Sequence, residues 1–280
     1  MRVYISADIE GVTGVVSWKQ CGSPSSEHYD WAFARRMMTH DVNAAIRGAI
    51  AGGATRVVVK DSHNTGKNLL ISDLEPGTEL ISGTGSGDLG MMEGVDQGFD
   101  VAFLVGYHAM AGTGHGIMEH TISGRVHRFW VNGEEWGEQR MSATAAAACG
   151  VPLALVVSDD KGCAEAHAWG GDLMHSFVTK YGMGRYMGRL LHPSVTGEGI
   201  QAAAQAAMSA AGKSPALPLP DTNHLRLEVN RSEEADAVAQ LADWHRRDGY
   251  TVEWEGDGGW SAAHIAARRA MAVMGLANQN

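Results

Sequence analysis

Cysteine is scarce in this 280-residue chain: Cys21, Cys149 and Cys163, at irregular spacing. An odd, unpatterned set excludes a disulfide framework. The three read as reduced thiols, with Cys149 and Cys163 as small buried hydrophobes rather than metal ligands or nucleophiles. Positive charge is also in short supply. Lys and Arg number 22 against 32 Asp and Glu, a net charge of −10, which argues against nucleic acid or an anionic membrane as the main partner. Long apolar runs are missing, for no segment reaches the roughly 18 residues that span a bilayer. The first residues follow a strand pattern and not the basic-then-apolar pattern of an export signal, so a soluble cytoplasmic protein is expected. The H-E-x-x-H metalloprotease helix, the G-x-S-x-G elbow and the G-x-x-x-x-G-K-[ST] phosphate loop are all absent.

What is present has the texture of a globular enzyme: 44% hydrophobic and 19% charged residues, with 36 glycines for tight turns and close backbone approaches. Short apolar strand patterns at Val3–Ala7, Arg56–Lys60, Glu79–Ser82, Val101–Val105 and Pro152–Val157 are separated by helical ones. Phe33–Ala51 carries apolar residues at helical spacing, and a helix begins near Gly137 and runs to Cys149. Arg128–Asn132 followed by Gly133 has the form of a strand entering an Asn-Gly hairpin. This alternation predicts an α/β fold, a mostly parallel sheet with helices on both faces. Past residue 185 the pattern shifts. A helix over Gly197–Ala211, the Ser214–Pro220 stretch, strands at Leu225–Val229 and Thr251–Trp254, and helices at Glu233–Arg246 and Ser261–Met274 suggest a smaller α+β domain. The expected division is a catalytic domain over 1–185 and a smaller one over 186–280.

The chemistry gathers at strand ends. The first strand runs into Asp8-Ile9-Glu10-Gly11, and side chains at i and i+2 on a strand share a face, so the two carboxylates should converge. Charges that close repel by several kcal/mol unless a cation or shared proton lies between them. The second strand ends in Asp61-Ser62-His63, and Val101–Val105 ends in Gly106-Tyr107-His108. Three strands of one sheet thus bring Asp8, Glu10, His63 and His108 to their carboxyl ends, where open α/β sheets bind ligands. Carboxylate plus imidazole suits Zn²⁺, and also Mn²⁺, Co²⁺ or Fe²⁺, whereas Mg²⁺ and Ca²⁺ prefer all-oxygen sites.

Four further segments bear on the site. His120 follows the loop Gly112-Thr113-Gly114-His115-Gly116, a placement that suits a general acid/base or an oxyanion partner. Glu134, Glu135 and Glu138 each offer another carboxylate, and Glu138 stands where a helix dipole favours one. Gly85-Ser86-Gly87-Asp88-Leu89-Gly90 fits G-x-G-x-x-G, but it lies far inside the chain after a short strand, so it reads as a glycine loop over the site and not as a dinucleotide fingerprint. Asp159-Asp160, after the Val157 strand, can join the site, although nothing in its spacing requires it.

In order and spacing these motifs resemble the DppA-type D-aminopeptidases, a family of zinc metallopeptidases encoded with dipeptide-transport genes. The matching segments are Ser6-Ala7-Asp8-Ile9-Glu10-Gly11, Asp61-Ser62-His63, Gly106-Tyr107-His108-Ala109, Met118-Glu119-His120 and Gly137-Glu138. The resemblance implies a two-zinc site held by Asp8, Glu10, His63, His108 and Glu138, with Asp8 bridging the ions and His120 as the catalytic histidine. It further implies removal of N-terminal D-amino acids from short peptides such as D-Ala-D-Ala, and a homodecamer enclosing the sites. Glu119, His115 and the segment 17–30 depart from the family pattern and bear on substrate choice.

Two other classes compete. Another dinuclear metal-dependent amidase or phosphoesterase would use the same ligands, and the phosphoesterase calls for Lys or Arg near the strand tips; Lys60 is the candidate. A non-catalytic peptide-binding protein of a transporter would need export.

Overall fold

The computed structural model describes residues 1–22, 27–85, 87–211, 216–221 and 223–277. Ser23–Ser26 of the 17–30 segment, Ser86 of the glycine loop, and Ser214 and Pro215 of the Ser214–Pro220 stretch therefore lie outside the described residues. In chain order the elements are β1 (Arg2–Ala7), α1 (Trp31–Ala51), β2 (Arg56–Asp61), β3 (Glu79–Ile81), β4 (Val101–Val105), β5 (Val126–Val131), β6 (Glu134–Glu135) and α2 (Glu138–Ala148). They continue with β7 (Leu153–Asp159), α3 (Asp160–Gly170), β8 (His175–Gly184), β9 (Met187–Leu190), α4 (Pro193–Ala211), β10 (His224–Val229), α5 (Ser232–Val238), β11 (Trp244–Arg246), β12 (Thr251–Glu255) and α6 (Gly259–Met274).

Seven strands form the main sheet, in the order β3-β2-β1-β4-β7-β8-β9, parallel except for the antiparallel β8–β9 hairpin. Its strands are apolar on both faces because both faces are covered. Val3, Ile5 and Ala7 of β1 join the core shared with α1 and α4, while Tyr4 joins the core beneath α2 and α3. The expected α/β architecture is what the chain adopts. The strand order reverses between β1 and β4, which makes their carboxyl ends the topological switch point where such sheets open a crevice.

A second, antiparallel sheet has the order β11-β12-β10-β5-β6 and packs on α5, α6 and the start of α2. The sheets share the chain discontinuously. β5 and β6 leave the first half of the chain to pair with β10, while β9 and α4, beyond residue 185, stay with the main sheet. A cut at residue 185 therefore separates neither sheet cleanly.

Three local expectations change. The helix expected over Glu233–Arg246 stops at Val238, and Trp244–Arg246 instead pairs with β12, placing Trp244 opposite Trp254 in the second core. Cross-strand burial outweighs helix propensity there. Cys149 is only half-buried, while Cys21 and Cys163 are buried. Finally, β1 ends at Ala7, so strand alternation does not reach Asp8 and Glu10. Asp8 still donates its N–H to the Val105 carbonyl, 2.8 Å away, but Ile9–Gly11 bend and turn.

That turn is fastened from several directions. Gly11 N–H bonds the Gly106 carbonyl at 2.7 Å, and a Cβ on Gly11 would meet the Tyr107 carbonyl oxygen at 1.7 Å. Gly106 has a φ of +78°, and its Cβ would stand 2.2 Å from the Asp8 carbonyl oxygen. Only glycine fits at this crossing of the β1 and β4 tips. The fully buried Asp41, on α1, accepts from Thr13 N–H at 2.7 Å and Thr13 Oγ1 at 2.8 Å. Replacing Asp41 with Ala strands a buried N–H and should cost about 2–4 kcal/mol, read as a drop in Tm of several degrees. An unchanged Tm would remove Asp41 from the fastening of this turn.

Candidate metal centre

Adjacent strands deliver the polar groups. In the order β2-β1-β4, the loops leaving the carboxyl ends carry His63, then Asp8 and Glu10, then His108. His63 is fixed by its own loop: Asp61 accepts from the N–H groups of Asn68 and Leu69, and the Asn68 amide donates to the His63 carbonyl. Asp61 is thus structural. Glu138 is the first residue of α2, where the helix dipole favours a carboxylate. One of its oxygens accepts from Ile122 N–H and the other lies 3.2 Å from His108 Nε2. All of these side chains, with His120, are buried.

The tautomers of two imidazoles follow from their partners. His108 Nδ1 faces the Ala109 carbonyl at 3.0 Å, and His120 Nδ1 faces the Met118 carbonyl at 2.9 Å. A carbonyl only accepts, so Nδ1 carries the hydrogen in both rings. In the neutral rings Nε2 is then a lone pair aimed inward. For His108 it points at Glu138 Oε1 and at Asp8 Oδ2, 3.6 Å away; His120 Nε2 lies 4.0 Å from Glu10 Oε1. Lone pairs facing carboxylates repel unless a proton or a cation lies between them. His63 presents the converse case, with one nitrogen, Nδ1, 3.1 Å from Asp8 Oδ1 and 3.2 Å from Glu10 Oε2. Its single hydrogen serves Asp8. Despite the short distance, the angle leaves Glu10 Oε2 buried without a hydrogen bond.

The electrostatics show the same deficit of positive charge. Burial and the neighbouring Glu10 push Asp8 up to about 7. Burial works against Glu10 ionising as well, but the imidazoles of His63, His120 and His108 hold it well below the usual carboxylate range. Burial alone would lower His63 and His108. The surrounding carboxylates overcome it, raising His63 to about 10 and His108 well above its ordinary value. His120 is lowered by burial and by His108, whose ring stacks on it at 4.0 Å. The side chains alone must therefore hold protons that a bound cation would displace. Among the described residues two triads have donor atoms within 4.8 Å of one another, Asp8–Glu10–His108 and His108–His120–Glu138, so His120 belongs to the same donor cluster as the carboxylates.

The expected candidates that fall outside the cluster have other tasks. Glu119 accepts from Gly112 N–H at 2.8 Å and pairs with Arg185 at 3.4 Å, and His115 Nδ1 bonds the Met183 carbonyl. Both tie the glycine loop to the β8–β9 hairpin. Asp159 accepts from Ile117 N–H and caps α3, while Asp160 accepts from Gly182 N–H. Glu134 and Glu135 pair with Arg140 and Arg128. Lys60 donates to the carbonyls of Asp61 and Gly83, so its charge is spent on the backbone. After Gly85–Gly90 comes only a short 3₁₀ turn, Gly90–Met92, not the helix of a dinucleotide site.

Sequence reasoning missed β8 and with it two supports. Lys180 is fully buried, and its ammonium donates to the carbonyls of Glu10, Val12 and Val15; burial depresses it to about 8. Thr179 Oγ1 bonds the Gly11 carbonyl at 2.7 Å. The available signal was a lone lysine in an otherwise apolar and neutral run, Phe177-Val178-Thr179-Lys180-Tyr181. Trp18, in the 17–30 segment, packs its edge on the His120 ring at 5.1 Å and lines the cleft with it.

Comparison with known proteins gives three consistent matches. A family model described as D-aminopeptidase matches residues 1–267. A curated protein of Bacillus subtilis (strain 168), described as D-aminopeptidase, is 35% identical over 168 residues, which is 59% of this chain and 59% of that protein. The aligned stretch thus spans about three fifths of that relative. A solved structure, the Zn-dependent D-aminopeptidase DppA from Bacillus subtilis, described as a self-compartmentalizing protease, superposes with a TM-score of 0.91 at 28% identity, covering 98% of each chain.

Proposed function

This chain belongs to the D-aminopeptidase family, and on that premise we propose that it is a zinc-dependent aminopeptidase removing N-terminal D-residues from short peptides such as D-Ala-D-Ala. The observation that carries the proposal is the ring of inward lone pairs and carboxylates around Asp8, Glu10, His63, His108 and Glu138, with Glu10 Oε2 left unpartnered. The donor set fits zinc, which takes imidazole nitrogen and carboxylate oxygen. The outward Nδ1–H of His108 on a carbonyl is the usual support of a metal-binding histidine. We assign these five residues as ligands of two ions. Asp8 would be the central one of these ligands, because its two oxygens face different histidines. When bound, zinc supplies Lewis acidity toward a peptide carbonyl and makes water acidic enough to attack near neutral pH.

The chain's own residues do the rest. His120 is held neutral, with Nδ1–H on the Met118 carbonyl, so its Nε2 can take a proton in the cleft and return it to the leaving amine. The stacked His108 ring and the edge of Trp18 fix its plane. Glu119 and Arg185 keep its loop in register with the hairpin. Peptide hydrolysis then depends on three things: a charged floor, a neutral base above it, and a cleft of about 400 Å³ to admit the substrate.

Replacing Asp8 with Ala should remove both metal and activity, while His120→Ala should lower kcat by roughly 10²–10⁴-fold at unchanged zinc content by elemental analysis. A fully metallated Asp8→Ala protein removes Asp8 from the ligand set, and a fully active His120→Ala protein removes His120 from proton transfer. Hydrolysis of D-alanyl-p-nitroanilide should exceed that of the L-isomer and stop with a chelator. Turnover of the L-isomer alone overturns the stereochemical assignment, and chelator-resistant turnover overturns the metal.

We further propose a cytoplasmic homo-oligomer, a decamer by family resemblance. No helix among the described residues is long and apolar enough to cross a membrane. The β8–β9 hairpin exposes Tyr181, Met183, Tyr186, Met187 and Leu190 together, an apolar edge that self-association would cover. Light scattering after size exclusion should return about ten times the 29.8 kDa chain mass; a monodisperse monomer overturns the assembly.

A further inference from the structure

A second cavity, of about 300 Å³, adjoins the metal cleft and shares Ser62, Asn64, Met91 and Ile122 with it. It lies between the tip of β2, the 83–93 loop and helix α6, so both sheets' units contribute walls. Much of its lining is flexible and apolar: Leu89, Met91, Ile122, Met141 and Met271. Such a surface accepts a small side chain without dictating its shape.

Polar residues line it as well, among them Asp61, Glu93 and Ser142, and its cationic groups are unequal. Lys60 lines the cavity, but its ammonium is engaged by two backbone carbonyls, and the nearby Glu93 carboxylate offsets its charge. Arg268 makes no hydrogen bond or ion pair among the described residues, although its side chain is half-buried. It lies across Gly90, whose missing Cβ would stand 3.1 Å from Arg268 Nε. Gly90 has a φ of +63°, so both backbone and space favour glycine under the guanidinium. One helical turn away, His264 is 8% exposed, and neither of its ring nitrogens makes a hydrogen bond. Burial and Arg268 lower it to about 4, against the Asp88 carboxylate and the backbone of Leu89 and Asp88, which act to raise it. An imidazole whose nitrogens complete no hydrogen bond therefore stands beside an unpaired guanidinium, and a buried polar group left in that state is costly.

Given the aminopeptidase reading, on which this rests, we infer that Arg268 and His264 bind the carboxylate at the far end of the substrate. The donors complement a carboxylate in charge and hydrogen-bonding sense. The amino end of a peptide goes to the metal cleft, its second side chain to the methionine-lined cavity, and its terminal carboxylate to α6. What this selects is a free carboxylate at the far end of the substrate, because an amidated end puts no charge there.

The test compares D-Ala-D-Ala with its C-terminal carboxamide on the full zinc-loaded chain. The free acid should have a KM lower by roughly 10- to 100-fold, the worth of one charge-assisted contact, with similar kcat. Arg268→Gln should raise KM for the acid far more than for the amide and close most of the gap between them, while Arg268→Lys should keep part of the preference. Equal KM for acid and amide in the unaltered chain overturns the carboxylate site, and so does an Arg268→Gln variant that weakens both alike. That first comparison needs no variant, so a misfolded substitution does not blunt it. A chain that cleaves neither dipeptide overturns the aminopeptidase reading instead, which keeps the two failures apart.

Discussion

Three carboxylates and three imidazoles are buried within a few ångströms of one another at the ends of parallel strands, and the rest of the molecule accommodates that fact. Left to themselves, Asp8, Glu10 and Glu138 repel in a medium where water does not screen them. Two histidines cannot relieve the repulsion as neutral rings, because backbone carbonyls hold their hydrogens on the outward nitrogens. The third has one hydrogen for two acceptors. Protons can fill the deficit, but only by drawing Asp8, His63 and His108 away from their ordinary titration ranges. A divalent cation fills it without doing so, and the donor set is one zinc accepts.

Holding such a cluster together without the cation needs stiff surroundings. The turn after β1 shows where that stiffness comes from. Gly11 and Gly106 let two chains cross at a separation no side chain allows, and Lys180, Thr179 and Asp41 close on the turn from the far strand and from the helix below. Lys180 is informative because its charge is not aimed at the carboxylates. It is spent on three carbonyls of the backbone that carries Glu10, so it positions that carboxylate and leaves its charge available. The glycine loop is held from the other side by the same region of chain, through Glu119–Arg185 and His115–Met183. The hairpin that braces His120 is also the one with an exposed apolar edge, so the proposed assembly would stiffen the surroundings of His120 as well.

The sequence made the strand tips legible because each carries its candidate ligand within three residues of a buried apolar run, a pattern that survives without tertiary knowledge. Asp8, Glu10, His63 and His108 were readable in this way, and Glu138 from its place at a helix start. The expected reason for the convergence of Asp8 and Glu10 was nevertheless mistaken, since they meet through a turn and not through strand alternation. β8 was illegible because Lys180, Gly182 and Gly184 contradict strand propensity, and the lysine is tolerated only thanks to carbonyls about 170 residues earlier in the chain. The Glu233–Arg246 helix failed for the same kind of reason, a pairing partner in β12 that local periodicity cannot report. Arg268 and His264 were silent too, because an arginine and a histidine on an amphipathic helix acquire meaning only once the helix closes a cavity.

The second sheet is what completes the site. The parallel sheet alone supplies His63, Asp8, Glu10 and His108. The chain then delivers His120 on its way out to β5, and Glu138 on its way back, immediately after β6. Both residues therefore depend on the excursion through the antiparallel sheet, where Trp136, one residue before Gly137, packs on Trp260 of α6. That contact fixes where α2 starts, and hence where Glu138 points. The same α6 presents His264 and Arg268 to the adjoining cavity. One helix thus sets the position of the Glu138 carboxylate through its aromatic contact and shapes the adjoining cavity through its polar face, so the discontinuous sharing of the chain between two sheets is the physical route by which the carboxylate–imidazole cluster and the cavity beside it are set together.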